Sequence, residues 1–207
     1  MDIGEIEELL KQFRWGTLQR VYGCAHSSII GFISTEWICL SPENSILDGA
    51  PSPLIGKGRK GQTNADILLC KGDRPFIAVD VETNVSKYGE KLTSLFTYLN
   101  NKDDFDGIEF GLLFMTNLCN GNTKYRHNWE EIKQRVTENK NDNIALVSII
   151  KERAQLEKES SLNVLRKRNE YFPWDIVTVD YWIYGANHTK EGNLWKKRET
   201  TMPHHIR

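Results

Sequence analysis

Apolar positions along this chain recur at two spacings, and the switches between them mark out the elements. Ile3, Ile6, Leu9, Leu10 and Phe13 repeat at the helical interval, so residues 2–14 are predicted to form an amphipathic helix. Projected at about 100° per residue, Glu5 and Glu7 flank that stripe, whereas Glu8 points away from it. Glutamates in a first turn suit the helix dipole; alternatively, Glu5 or Glu7 leans over the stripe toward a metal. SIIGFISTEWICL, Ser28 to Leu40, is apolar and rich in β-branched residues, enough for one strand or a buried helix. Pro42, Gly49, Pro51 and Pro53 then predict a long loop.

Ala65–Cys70 and Phe76–Val81 are predicted strands, and KGDRP between them has the chemistry of a short hairpin connection. Val85, Tyr88, Leu92, Leu95, Phe96 and Leu99 share one face of a following helix. Ser86 is its expected N-cap, Gly89 a mild weakness, and Asn100 and Asn101 its end. IEFGLLFMT, Ile108 to Thr116, is the nearly continuous apolar run of a central strand covered on both faces. After it the pattern predicts a loop over NLCNGNTKYRHN, a short helix from Trp129 to Thr137, and a buried strand from Ile144 to Ile150. A charged helix over 151–170, an aromatic-rich last strand from Asp175 to Tyr184 and a flexible tail from about 186 complete the chain. The sum is an α/β fold, a mixed central sheet flanked by helices in a single domain spanning residues 1–207.

Composition adds exclusions. Apolar residues make up 39% and charged residues 27%, as in a globular protein with a sizeable core. A net charge of -1 leaves no global footprint for nucleic acid, so any basic surface must be local. No apolar run approaches the roughly 18 residues of a membrane span, and the acidic start MDIGEIEELLKQF is unlike a signal peptide. No membrane partner is therefore expected. Cys24, Cys39, Cys70 and Cys119 form no CxxC pair, and nothing completes a zinc set around Cys24 and His26. Cys70 and Cys119 read as buried thiols in a reducing compartment, which makes a cytoplasmic location the expectation.

Candidate chemistry centres on residues 56–99. GKGRKG, Gly56 to Gly61, formally matches GxGxxG, but Pro53 precedes it and a strand follows, the reverse of a dinucleotide site. What remains is a basic loop, with Lys57, Arg59 and Lys60 available to a phosphate backbone. Downstream, Asp80 and Glu82 sit two apart on a strand and project from one face, with Val79 and Val81 on the other. Asp66 opens the paired strand and can join them. Three carboxylates so close are costly unless a cation sits among them, and their hard oxygens suit Mg²⁺ or Mn²⁺.

Asp66, then Asp80-Val81-Glu82 on the next strand, then a helix and an apolar strand, resembles the PD-(D/E)xK nuclease superfamily over residues 60–118. That superfamily includes type II restriction enzymes, Holliday-junction resolvases and repair nucleases. Asp66 matches the first acid of its motif and Asp80 the second. Ala65 replaces the proline common before the first acid, and Glu82 occupies the lysine position. Some restriction enzymes resemble this pattern and use the last acid; in other members the lysine has moved onto the following helix. Lys91 flanks the apolar face of that helix and Lys87 lies further around, so Lys91 is the migrated candidate. A migrated lysine is also similar to the cap-snatching endonucleases, which add an upstream histidine, here His26.

The resemblance implies a restriction-endonuclease-like fold and a Mg²⁺- or Mn²⁺-dependent nuclease hydrolysing phosphodiester bonds, DNA ahead of RNA. It assigns catalysis to Asp66, Asp80, Glu82 and Lys91, and metal binding to Asp66, Asp80 and Glu82, with Glu7 joining from the first helix. A homodimer is compatible, since many relatives act as dimers. The alternatives are a catalytically inactive nuclease-fold protein that binds nucleic acid or regulates, and an unrelated α/β interaction protein whose acids only solubilise strand ends. Further basic runs, Arg166–Arg168 and Lys196–Arg198, read equally as a helix end and a tail. Trp129, Trp174, Tyr181 and Trp182 can stack on bases, but core packing is the stronger expectation.

Overall fold

The computed structural model of the chain describes residues 2–19, 26–48, 64–83, 85–100, 107–119, 123–139, 143–153, 174–185 and 188–197. Helix α1, Ile3–Gln12, forms where the apolar stripe predicts it, with Ile3, Ile6, Leu9 and Leu10 buried. Its start is a reciprocal cap: the Glu5 N–H donates to Asp2 Oδ1 at 2.9 Å, and the Asp2 N–H to Glu5 Oε2 at 2.6 Å. Glu5 is thereby a capping residue. A short turn, α2 (Trp15–Thr17), leads on, and α3 spans His26–Leu40. The Ser28–Leu40 run is thus a helix. Its length exceeds an ordinary strand, and burial of Ile29, Phe32, Ile33 and Trp37 stabilises it against the sheet.

Seven strands lie in sequence order: β1 (Asn44–Asp48), β2 (Ile67–Lys71), β3 (Arg74–Glu82), β4 (Phe110–Cys119), β5 (Ile144–Arg153), β6 (Trp174–Gly185) and β7 (His188–Lys196). β3, β4 and β5 run parallel; the other neighbours are antiparallel. The parallel links are made by α4 (Tyr88–Asn100) and α5 (Thr123–Glu138), whose apolar residues pack on one face with Leu68, Ala78, Leu113 and Leu146. α1 and α3 cover the other face, over Ile67, Val79, Leu112, Val147 and Tyr181. The α/β class and the mixed sheet flanked by helices are as the pattern predicts. No helix among the described residues is long and apolar enough to cross a membrane.

Four local expectations are corrected. Part of the expected loop after α3 is β1, whose backbone groups pair with β2 although none of its residues is fully buried. The expected NLCNGNTKYRHN loop is divided between β4, which runs to Cys119, and α5, which begins at Thr123. Lys151–Arg153, assigned to a charged helix, continue β5; residues 154–173 lie outside the description. His188–Lys196, expected in a flexible tail, form the edge strand β7, because β6 offers a complete row of unpaired backbone groups. Ser86 lies within a 3₁₀ turn, Val85–Lys87, that precedes α4.

Cys70 is buried and free, as expected, and Cys39 is an exposed free thiol. Tyr181 and Trp182 are buried and Trp129 is packed against the core, which answers the choice between stacking on bases and packing for these three.

Candidate active site

The register Ile67↔Val79 brings the residue before Ile67 level with the residue after Val79, so Asp66 and Asp80 face each other across the hairpin. Both project toward α4, with Leu68 and Ala78, because side chains alternate along a strand. The second oxygen of Asp66, Oδ2, accepts the Val81 N–H at 2.7 Å, which ties the start of β2 to the end of β3.

Lys91, in the first turn of α4, shares the helix's buried face with Tyr88, Leu92 and Leu95. Its ammonium lies 2.7 Å from Asp80 Oδ1 and 3.2 Å from Asp66 Oδ1, so one cation bridges both carboxylates. Lys87 is exposed in the preceding turn. His26, the first residue of α3, reaches Asp66 from the opposite layer, with Nε2 3.1 Å from Oδ2. All four groups meet at one end of the sheet, where β3 finishes and both helical layers open.

Asp80 is fully buried, while Asp66 is partly accessible. Burial pushes the Asp80 carboxyl up to about 7, although the Lys91 charge and hydrogen bond pull it down. Burial alone would lower Lys91, yet the charges of Asp80 and Asp66 outweigh it and raise the ammonium. Lys91 therefore stays protonated at neutral pH. Asp80 Oδ2, the oxygen not on Lys91, is buried without a hydrogen-bond partner among the described residues.

The structure brings together Asp66, Asp80 and Lys91 from the predicted set, with His26, the upstream histidine the resemblance offers, beside Asp66. Glu82 shares the face of Asp80 and is buried, but two residues along a strand separate their Cα atoms by about 7 Å. Among the described residues no three acidic, histidine or cysteine side chains converge closely enough to hold an ion. The expected trio of carboxylates is thus a pair with a lysine between them. Glu7 is corrected more strongly. It lies on the α1 face of the sheet, bonded to Tyr181 Oη at 2.5 Å, Lys190 at 2.8 Å and Lys11 at 2.8 Å, with the sheet between it and Asp80. Helical projection placed Glu7 beside the stripe correctly; it carried no information about which face α1 would cover. Lys57, Arg59 and Lys60 lie outside the described residues.

The carboxylates are compatible with a hard divalent ion: two acids, one of them carrying a buried oxygen with no hydrogen-bond partner among the described residues. A contact outside the predicted set is made by Tyr98, whose hydroxyl accepts the Ala65 N–H at 3.2 Å. Its sequence signal was the i+7 spacing from Lys91, two helical turns along the same side. A scan against protein-family models matches none to the chain, and no curated protein and no solved structure matches it significantly.

Proposed function

We propose that this chain is a metal-dependent nuclease of the PD-(D/E)xK type, with a restriction-endonuclease-like sheet, that hydrolyses phosphodiester bonds in nucleic acid, DNA ahead of RNA. One observation carries the reading: the lysine absent from the strand motif arrives from α4, and its ammonium bridges Asp66 and Asp80. A hairpin of acids with a helix-borne lysine is the arrangement the sequence resemblance implies. It also places a fixed positive charge where phosphate chemistry needs one.

In this reading Asp66 and Asp80 hold Mg²⁺ or Mn²⁺, and Asp80 Oδ2 supplies an oxygen without a hydrogen-bond partner among the described residues. The bound ion supplies an activated water and offsets charge on the leaving oxygen. Asp66 is aimed by the Val81 N–H, so its carboxylate needs little reorganisation to serve as a ligand. Lys91 keeps its proton, neutralises the paired acids before substrate arrives, and then orients water or faces the scissile phosphate. His26, exposed at the rim, contacts Asp66 Oδ2 through Nε2 at 3.1 Å and helps orient that carboxylate from α3.

The second reading, a nucleic-acid-binding protein without catalysis, is favoured by the lack of a third converging acid among the described residues. Incubation of plasmid, single-stranded DNA and RNA with Mg²⁺ or Mn²⁺ separates the two. Cleavage by the natural chain that is lost in both Asp80→Ala and Lys91→Ala supports the nuclease. Cleavage that survives Asp80→Ala refutes the site. Binding without cleavage, weakening steeply as salt rises, supports the second reading; neither binding nor cleavage removes both.

A further inference from the structure

Asp66 immediately precedes β2, and a residue at a strand's entry is less held by the ladder than those within it. Its carboxylate nevertheless meets three groups from three elements: the Val81 N–H of β3, Lys91 of α4 and His26 of α3. Those distances require the backbone at Ala65–Asp66 to be fixed. Two backbone hydrogen bonds do so. The Asp66 N–H donates to Val79 O at 2.9 Å, within the hairpin. The Ala65 N–H donates to the Tyr98 hydroxyl at 3.2 Å, and Tyr98 is fully buried on α4, seven residues beyond Lys91.

The second bond links two ligand-bearing elements directly. Lys91 and Tyr98 descend from the same helix face; one ends on the Asp66 carboxylate, the other on the backbone just before it. α4 therefore grips the entry to β2 at two points, the Asp66 carboxylate and the Ala65 N–H. The bond requires a residue other than proline at position 65, since a proline there would have no N–H to give. The Tyr98 hydroxyl also lies in the field of the buried pair: burial raises its pKa first, and the nearby Asp80 charge raises it further while Lys91 opposes.

We propose that Tyr98 is a positioning residue: by accepting the Ala65 N–H, its hydroxyl holds Asp66 at the point where the carboxylate meets Lys91 and a divalent ion. The inference rests on the nuclease reading for its consequence in metal binding, but its geometric core does not. Tyr98→Phe keeps the ring in the core and removes the hydroxyl that accepts the Ala65 N–H.

Two measurements test it. Amide hydrogen exchange followed residue by residue reads Val81, whose N–H is protected by the Asp66 carboxylate; in Tyr98→Phe it should exchange about tenfold faster, with Val79 and Leu112 nearly unchanged. Mn²⁺ titration by calorimetry should show affinity about tenfold weaker than in the natural chain. Leu99→Ala, a core variant on the same helix, serves as the control and should lower the melting temperature without selective loss at Val81. Unchanged Val81 protection in Tyr98→Phe overturns the proposal, whatever happens to the melting temperature. Faster exchange at Val81 in a chain that binds no Mn²⁺ even in its natural form upholds the positioning and sinks the metal site. Selective exchange with unchanged Mn²⁺ affinity overturns the link between Tyr98 and the ion.

Discussion

Replacing Lys91 by Met leaves Asp80 in a fully buried position with neither oxygen bonded to a cation. At an effective dielectric constant near 20, unit charges about 4 Å apart attract by about 4 kcal/mol. Breaking a buried pair from one side costs about 3–5 kcal/mol, because the survivor remains desolvated. Lys91→Met should therefore destabilise the fold by about 3 kcal/mol, lowering the melting temperature of a chain this size by about 10 °C. The carboxyl has a way to limit the loss, which is to take up a proton. Its pKa in the folded chain already lies above the unfolded value of 3.8, so folding binds a proton and stability falls as pH rises toward about 7. Without Lys91 the folded pKa moves higher still, and the decline should continue above pH 7, where the natural chain has levelled off. Urea unfolding between pH 5 and pH 9 reads this slope. Adding Asp80→Asn to Lys91→Met removes the stranded charge and should recover at least 2 kcal/mol. A loss below about 1 kcal/mol for Lys91→Met, with no coupling to Asp80→Asn, would refute the buried bridge.

Glu7 makes the opposite pH prediction. Hydrogen bonds from Lys11, Lys190 and Tyr181 hold its carboxyl down at about 2, from 4.5. The difference sets a ceiling of about 3 kcal/mol, reduced to about 1–2 kcal/mol because both lysines are solvent-exposed. That stabilisation should be complete above about pH 4.5 and fade as pH falls toward 2, so Glu7→Gln should lose stability at pH 6 and much less at pH 3 in urea melts. Gly111→Ala should cost about 1–3 kcal/mol, because its methyl would lie 2.6 Å from Ile144 Cδ1 and 3.3 Å from Leu95 Cβ in the closed core. Gly89→Ala meets only the movable end of Arg135 and removes a helical glycine, so it should gain up to about 1 kcal/mol by chemical denaturation. Mn²⁺ at saturating concentration should raise the melting temperature of the natural chain and leave that of Asp66→Ala unmoved, as read by differential scanning calorimetry.

Much of this architecture is legible in the residues, because hydrophobic period is a local property. Ile3 to Phe13 can bury their apolar groups together only as a helix, and the unbroken run from Ile108 to Thr116 only where both faces are covered. The same locality put Asp80 and Glu82 on one strand face and Lys91 at the margin of the α4 stripe. Boundaries failed where pairing decided them. β1 and β7 carry weak apolar patterns, and what makes them strands is a neighbour with backbone groups to satisfy.

The candidate site divides in the same way. Residue types and strand spacing named Asp66 and Asp80; the resemblance called for a lysine on the next helix, and helical periodicity chose Lys91 over Lys87. Tertiary structure decided which partners they meet. It laid α1 on the far face and so bound Glu7 to Tyr181 and Lys190, and it carried His26 across forty positions to Asp66. It also left Glu82 outside the close pair and bridged the two aspartates with Lys91. Side-chain period tells which way a group points from its own element; only the packing of layers tells what stands opposite.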